Sequence, residues 1–260
     1  MRVAALYDIH GNLPALEAVL AEVDAVGCDL VLIGGDAALG PMPRATLERL
    51  ARLGERARWI RGNCDRDMAA PPEPSVPPKP WHDRLRWAAQ QLTPAQRERL
   101  AGLPLTTTLA IEGLGRVLFC HATPRSDEEI VTRLTPEARL ATLLAGVEAD
   151  AVVSGHTHVQ CDRRIGARRW INAGSVGMPF EGAPGAYWAL LGPGVELKRT
   201  PYDVRAAAAA VRASGFPDAD VFAEKELLNP DSAAEASERF EQWSHGQTEL
   251  SAASQAGAAR

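Results

Sequence analysis

The stretch RVAALYDIH, residues 2–10, joins a compact apolar run to two side chains that commonly bind metals. The run predicts a buried strand that ends at Asp8, and His10 follows two positions later. Directly after it, NLPALEAVLAEVDAVG (residues 12–27) has apolar residues at helical spacing, a proline near its start and a glycine at its end. A buried strand followed at once by such a helix predicts the first βα unit of an α/β fold.

The same alternation continues along the chain. The stretches DLVLIGGD (29–36) and ARWIRGN (57–63) predict two more strands, and PRATLERLARLG (43–54) predicts the helix between them. Alternating strands and helices of this kind are typical of a parallel sheet.

The chain after these units changes character. Residues 66–104 contain the proline-rich run APPEPSVPPKP and two short predicted helices, which indicates an insertion or a lid. The following residues, up to 200, are rich in predicted strands and begin with a hairpin around Gly113 and Gly115. Because this part has more strands than the first, the pattern predicts two sheets rather than one.

The composition shifts again after Pro201. The stretches VRAAAAAVRASG and PDSAAEASERFEQW favour helix, and the last residues, from Ser244 onwards, are small and polar. Residues 1–200 are therefore predicted to form the main domain, and residues 201–260 a C-terminal helical extension with a flexible tail. We expect the extension to pack on the core, and its helices are a candidate interface for a homo-oligomer.

Bulk properties exclude several classes of function. Of the 260 residues, 46% are hydrophobic and 23% are charged, as in soluble globular proteins. The net charge of −5 offers no basic surface for a large nucleic acid, and no apolar run is long enough for a membrane span. The apolar run at the N-terminus is too short for a signal peptide, and the four cysteines are dispersed along the chain without a CxxC pair. These features predict a cytoplasmic protein with reduced thiols.

Metal-binding residue types recur at the carboxyl ends of the predicted strands, where open α/β sheets place their ligand sites. Seven such side chains can together hold two divalent cations: Asp8, His10, Asp36, Asn63, His121, His156 and His158. Each motif alone has a plainer interpretation, as a turn aspartate, a structural histidine or a satisfied loop pair. Their joint occurrence in this order makes coincidence improbable.

The blocks DIH, GGD, GNCD, CHATP and GHTH, followed by INAGSVG, resemble the signature of the calcineurin-like metallophosphoesterases over roughly residues 1–200. They are most similar to a small bacterial phosphodiesterase-like group in which GNCD is a variant motif. The resemblance implies that residues 1–200 form the catalytic domain. It also implies an α/β fold, a four-layer α/β/β/α sandwich of two mixed sheets flanked by helices, in agreement with the two-sheet interpretation.

The resemblance further implies a dinuclear enzyme that hydrolyses phosphate esters with metal-activated water. Two cation sites joined by a shared carboxylate are implied: Asp8, His10 and His158 at one, Asn63, His121 and His156 at the other, and Asp36 between them. Among these, Asp36, Asn63 and His121 are also the implied catalytic residues. The donor types suit Mn²⁺, Fe or Zn²⁺.

The implied substrate is a small phosphate ester or a nucleotide, with a nucleotide-type phosphodiester favoured. A phosphomonoesterase similar to protein phosphatases is one alternative. A non-catalytic protein-binding scaffold of the same fold is another, although a scaffold has no chemical need for seven ligand residues.

Cys64 departs from the family pattern, since it stands where many members have a histidine that protonates the leaving oxygen. Three interpretations remain open: an inert small residue, a weak acid or redox-sensitive group, and an outlying metal contact. A thiol with a pKa of about 8.5 is a poor acid at neutral pH. We therefore expect a preference for good leaving groups, or an acid borrowed from elsewhere, such as His82.

Six further residues are candidates to contact substrate or orient a ligand: Arg66, Arg125, Arg133, Asp65, Trp81 and Trp87. For the arginines the alternative is a solvated surface position, for the aspartate a turn cap, and for the tryptophans core packing.

Overall fold

The computed structural model of the protein describes residues 1–71 and 81–244. The predicted proline-rich loop over 70–80 and the predicted flexible tail therefore lie almost wholly outside the described residues. Within the described residues, no helix has both the length and the apolar character that a bilayer span requires. The four cysteines are free thiols.

The described residues form strands and helices that follow the predicted alternation. The strands are β1 (Val3–Leu6), β2 (Leu30–Ile33), β3 (Ala57–Trp59), β4 (Thr106–Ile111), β5 (Gly115–Cys120), β6 (Ala151–Ser154), β7 (Cys161–Ile165), β8 (Arg168–Asn172), β9 (Ala186–Leu191) and β10 (Val195–Thr200). The helices are α1 (Leu13–Ala25), α2 (Pro43–Ala51), α3 (Asn63–Ala69), α4 (His82–Gln91), α5 (Pro94–Ala101), α6 (Glu137–Leu143), α7 (Val204–Ala213), α8 (Ala219–Val221) and α9 (233–244). A 3-10 turn at Gly54–Arg56 precedes β3, and a π-helix, Phe222–Leu228, continues α8.

Two five-stranded mixed sheets form the centre of the fold. Their strand orders are β10-β9-β1-β2-β3 and β4-β5-β6-β8-β7. In the first, β1, β2 and β3 run parallel, β9 is antiparallel to β1, and β10 is antiparallel to β9. In the second, β5, β6 and β8 run parallel between antiparallel edges.

The central strands are buried on both faces, with one face against the other sheet and the opposite face against helices. In β1, Val3 and Ala5 face the other sheet, whereas Ala4 and Leu6 pack with α1 residues such as Leu16. On the far side of the second sheet, Trp170 and other residues pack with α6. The arrangement is a four-layer α/β/β/α sandwich, so the predicted fold class is confirmed.

The segments beyond the predicted βα units pack against this framework. Leu85 and Ala88 of α4 and Leu100 of α5 are buried in the same core as α1. The extension has its own cluster, in which Val211 of α7 packs with Phe222 of the π-helix. The insertion-or-lid interpretation of 66–104 and the division at residue 200 stay predictions.

Packing at the site edge gives a testable consequence at Gly34, which follows β2. A Cβ atom at Gly34 would lie 2.1 Å from the ring of Tyr7, a fully buried residue that directly follows β1. We expect Gly34→Ala to lower the free energy of unfolding by at least about 2 kcal/mol, because the ring must be displaced. Urea denaturation measures this loss. Gly194→Ala is the control, since nothing lies within 4 Å of its Cβ position; equal stability of the two variants would contradict the packing argument.

Candidate metal centre

Loops at the carboxyl ends of the strands bring the predicted site residues together at the junction of the two sheets. Among described residues, six that are not glycine have positive φ, and five of these are predicted ligands: Asp8 (51°), His10 (46°), Asp36 (52°), His156 (68°) and His158 (56°). Side chains disfavour this region of backbone space, and such strain is concentrated at functional sites. The site therefore depends on backbone geometry that the surrounding structure must hold in place.

Two glycines of the motifs allow the loops to approach the carboxylates. A Cβ at Gly62 would lie 2.0 Å from Asp36 Oδ1, and one at Gly155 would lie 2.4 Å from Asp8 Oδ2. Glycine is needed at both positions because any side chain would displace a carboxylate.

Each of the two carboxylates has one oxygen anchored and one facing the centre. Asp8 Oδ2 accepts a hydrogen bond from the backbone N–H of His156 (2.8 Å), and Asp36 Oδ1 accepts one from that of Cys64 (2.9 Å). The anchored oxygens thus tie together loops from different strands. The remaining oxygens, Asp8 Oδ1 and Asp36 Oδ2, face the imidazoles.

Backbone carbonyls fix the tautomers of the four histidines. Three of them donate from Nδ1 to a carbonyl oxygen: His10 to Leu39 (2.9 Å), His121 to Gly34 (2.9 Å) and His158 to Met178 (2.6 Å). A carbonyl can only accept, so in the neutral rings Nε2 carries a lone pair directed at the centre. His156 has the opposite arrangement, with Nε2 donating to the carbonyl of Glu128 (3.2 Å).

The inward-facing atoms lie close together, and with neutral imidazole rings they place acceptors opposite acceptors. Asp8 Oδ1 lies 3.2 Å from His158 Nε2 and 3.8 Å from His121 Nε2. Asp36 Oδ2 lies 3.5 Å from His121 Nε2. The Nε2 atoms of His10 and His158 are 3.2 Å apart. Lone pairs at these distances repel unless a proton or a cation lies among them.

Three of the predicted ligands have a buried polar atom with no hydrogen-bond partner. These atoms are Asp8 Oδ1, Asn63 Oδ1 and His121 Nε2. Leaving such groups unsatisfied is costly, and bound cations would give each of these atoms a partner. Oxygen and imidazole donors in this arrangement fit the divalent cations expected from the sequence.

The pKa values also indicate that the site favours positive charge beside its carboxylates. Burial lowers the pKa of His121, but the carboxylates of Asp36 and Asp8 outweigh it and raise the pKa to about 10. Burial likewise opposes ionisation of Asp36, yet His121 holds the pKa of this carboxyl well below its usual range. For His156, burial and the charge of His121 lower the pKa to about 4. The two carboxylates thus require positive charge beside them.

The predicted residues fall into compact groups. The ligand atoms of Asp8, His10 and His158 lie within 4.8 Å of one another, as do those of Asp8, Asp36 and His121. A third such group contains His10, Asp36 and Cys64.

The other two predicted ligands also reach the site. Asn63 and His156 line the cavity above the centre, and the ring centroids of His156 and His121 are 5.1 Å apart. The structure therefore brings all seven predicted ligands together.

Asp65 connects two of the ligand loops. Its carboxylate accepts hydrogen bonds from the backbone N–H groups of Asp36 (2.8 Å), Ala37 (3.1 Å) and Gly62 (3.0 Å). Burial and the charge of Asp36 raise its pKa to about 7, whereas the three donors favour the carboxylate. Asp65 positions the loops that follow β2 and β3, which agrees with the capping interpretation.

None of the three candidate arginines lines the cavity above the centre. Arg66 pairs with Asp127 (2.5 Å) and Glu128 (2.6 Å), and Arg125 pairs with Glu129 (2.6 Å). Arg133 is exposed and is also absent from the cavity lining. The surface interpretation therefore fits these residues better.

The remaining candidates divide between the cavity and the core. Trp81 lines the cavity, whereas Trp87 packs edge-on against Phe216 with a centroid distance of 5.4 Å. His82 is 3% exposed, stacks edge-on against Trp81 and does not line the cavity. The core-packing alternative therefore fits Trp87, which packs against the core, and does not fit Trp81.

The sequence interpretation missed the contribution of the C-terminal extension. Several of its side chains line the cavity of about 350 Å³ that opens on the ligands, hereafter the site cavity: Phe216, Phe222, Arg239, Phe240 and Trp243. Phe180, from the segment after the GHTH motif, also lines it. The spacing of Phe240 and Trp243 on one helix face was the available signal, but it does not reveal what that face covers.

Solved structures from other organisms have the same fold. A metallophosphoesterase from Sphaerobacter thermophilus is 27% identical, with 84% of this chain and 95% of that chain covered at a TM-score of 0.68. The hypothetical protein PH1004 from Pyrococcus horikoshii OT3 is 22% identical, with 85% and 96% covered at a TM-score of 0.74. The curated protein MJ0912 of Methanocaldococcus jannaschii is 25% identical over 235 residues, which is 83% of this chain and 94% of its own.

The family model of the calcineurin-like phosphoesterase superfamily domain matches residues 1–191. This range holds all seven predicted ligands and both sheets up to the end of β9. The chain belongs to the calcineurin-like phosphoesterase superfamily.

Proposed function

We propose that the protein is a dinuclear metal-dependent phosphoesterase that hydrolyses phosphodiesters of nucleotide type. The observation that carries the proposal is the set of buried, unpartnered ligand atoms on Asp8, Asn63 and His121. Family membership supports hydrolysis of phosphate esters. The number of cations, their identity as Mn²⁺, Fe or Zn²⁺, and the diester preference are parts of the proposal.

Each ligand has a role in holding the cations. Asp8, His10 and His158 would hold one, Asn63, His121 and His156 the other, and Asp36 would contribute to both. Two such cations, when bound, would activate water and neutralise charge on the phosphoryl oxygens. The backbone carbonyls that accept from Nδ1 of His10, His121 and His158 keep those rings oriented, so little reorganisation is needed on binding.

The environment of Cys64 makes it a poor proton donor. Burial and then the charge of Asp36 raise the pKa of the thiol well above its usual value. Cys64 lines the site cavity, and its backbone N–H anchors Asp36. Since His82 does not line the cavity, it offers no replacement acid. The proposal therefore includes a preference for esters whose leaving group needs little protonation.

The alternatives are less well supported. A scaffold would have no use for unpartnered ligand atoms, and a monoesterase would not be expected to lack a leaving-group acid. A cytoplasmic location and a homo-oligomer formed through the C-terminal helices stay predictions.

Replacing the shared ligand tests the proposal directly. We expect Asp36→Asn to lower kcat/KM for a p-nitrophenyl diester by at least about 100-fold, because it removes a charge from both cation sites. Metal analysis should show fewer bound equivalents. Asp220→Asn, at a carboxylate with an 89% exposed side chain, is the control. Normal turnover in Asp36→Asn, or wild-type protein that neither binds Mn²⁺ nor hydrolyses the diester, would contradict the proposal.

Metal binding should strengthen as the pH rises. The carboxylates keep His121 protonated through the neutral range, because they raise its pKa to about 10. A cation must displace that proton, so the apparent Mn²⁺ affinity should rise by up to about tenfold per pH unit for each proton displaced. Calorimetry in buffers of different ionisation enthalpy counts the released protons. His121→Gln should release one proton fewer, and an unchanged count would exclude His121 as the group displaced.

The missing acid can be restored by Cys64→His. We expect this variant to hydrolyse esters of poorly acidic alcohols faster, by about 10–100-fold, while esters of p-nitrophenol change little. The slope of log kcat against the pKa of the leaving group measures the effect. Cys64→Ser is the control, because it retains a small side chain without an imidazole. Equal slopes in Cys64→His and the wild type would show that no acid is missing.

A further inference from the structure

The site cavity has two chemically different parts. Its floor is formed by ligand residues such as Asp36, Asn63 and His156. Its walls are mainly aromatic and come from the extension, from the segment after the GHTH motif and from the start of α4. Because the two parts form one cavity, a molecule whose phosphate reaches the floor can place its remaining atoms against the aromatic walls.

The aromatic side chains of the walls contact one of the predicted metal ligands. The ring of Phe180 stacks on that of His158 with a centroid distance of 5.1 Å and an interplanar angle of 15°. Phe240 then packs against Phe180 at 6.1 Å, and Trp243 against Phe240 at 5.2 Å. A series of ring contacts thus leads from the cation site to the surface of the protein.

Two large aromatic side chains of this wall remain open to solvent. Trp243 is 54% exposed and Trp81 is 36% exposed, and both line the cavity. Exposed tryptophans of this size are unfavourable in water and indicate a binding surface when they share one opening. Planar rings such as nucleobases stack on aromatic side chains of this kind, with each stacked base contributing about 1–3 kcal/mol.

The charged residues of the walls are already neutralised. Arg239 pairs with Asp231 and lies over the rings of Phe180 (5.3 Å) and Trp243 (5.8 Å). Arg84 pairs with Asp218 (3.4 Å). The part of the cavity between the aromatic walls therefore suits a neutral planar group better than a second phosphate.

The volume limits the size of this group. At about 350 Å³, the cavity lies near the lower end of the range for small-molecule sites. It fits one nucleoside better than an oligonucleotide, which also agrees with the net charge of −5.

From these observations we propose that the C-terminal extension completes a base-binding subsite and that the substrate is a phosphodiester of mononucleotide size with a nucleobase or similar planar ring. This inference rests on the proposed phosphodiesterase function. Trp243 stacks on the ring, and Phe240 supports Trp243. The extension thereby determines which ester is selected, while the ligands in residues 1–191 supply the chemistry.

Two diesters with one leaving group test the subsite. The p-nitrophenyl ester of thymidine 5′-monophosphate and methyl p-nitrophenyl phosphate both lose p-nitrophenolate when water cleaves the same P–O bond. We expect the wild type to prefer the nucleotide ester, and Trp243→Ala to reduce the ratio of the two kcat/KM values by about tenfold, mainly through KM. Val221→Ala is the matched control, since Val221 is 50% exposed on the extension and lies outside the cavity lining. Its ratio should equal that of the wild type.

A binding measurement separates this inference from the proposed function. Thymidine 5′-monophosphate should quench the tryptophan fluorescence of the Mn²⁺-loaded wild type, and the quenching should be smaller in Trp243→Phe, which retains only Trp81 in the cavity. If both diesters are hydrolysed but Trp243→Ala leaves their ratio unchanged, the subsite is wrong and the phosphodiesterase proposal stands. If neither diester is hydrolysed and the nucleotide still quenches Trp243, the subsite stands and the phosphodiesterase proposal is wrong. Absence of both hydrolysis and quenching overturns both.

Discussion

The repulsion among buried acceptors at the junction of the two sheets is the constraint on which the rest of the site depends. Asp8 and Asp36 each commit one oxygen to a backbone N–H and turn the other towards imidazole nitrogens. The backbone carbonyls beyond His10 and His158 direct two further lone pairs to the same point. Such an arrangement is stable only with a proton or a cation among these atoms, so the fold itself creates a site that favours positive charge.

The loops that carry these side chains have unfavourable backbone conformations. Positive φ at Asp8, Asp36 and His158 is unfavourable, yet the adjoining strands are fully buried and hydrogen-bonded in register, which fixes where each loop begins. Asp65 adds a second restraint by joining the loops after β2 and β3 with three hydrogen bonds. Rigid strands therefore compensate for strained loops, and the fold itself holds the predicted ligands in position.

The sequence was sufficient for the parts governed by local rules. Apolar runs predicted β1, β2 and β3, and the strand-end rule placed Asp8 and Asp36 at one edge of a sheet. Strand β7 was not predicted, because Asp162, Arg163 and Arg164 make an edge strand too polar to stand out. The walls of the site cavity were also missed, since helix propensity in the extension cannot show against which surface its helices fold.

Cys64 links the two halves of the site. It lies on the floor next to Asp36 and also lines the cavity beneath the aromatic walls. An imidazole at this position would supply a proton donor, but it would also take up space in a cavity of only about 350 Å³. A thiol leaves that space free at the expense of the acid. A small residue at 64 and an aromatic extension above it therefore fit the same proposed specialisation. The small residue leaves room for a planar group, and a good leaving group makes general acid catalysis unnecessary.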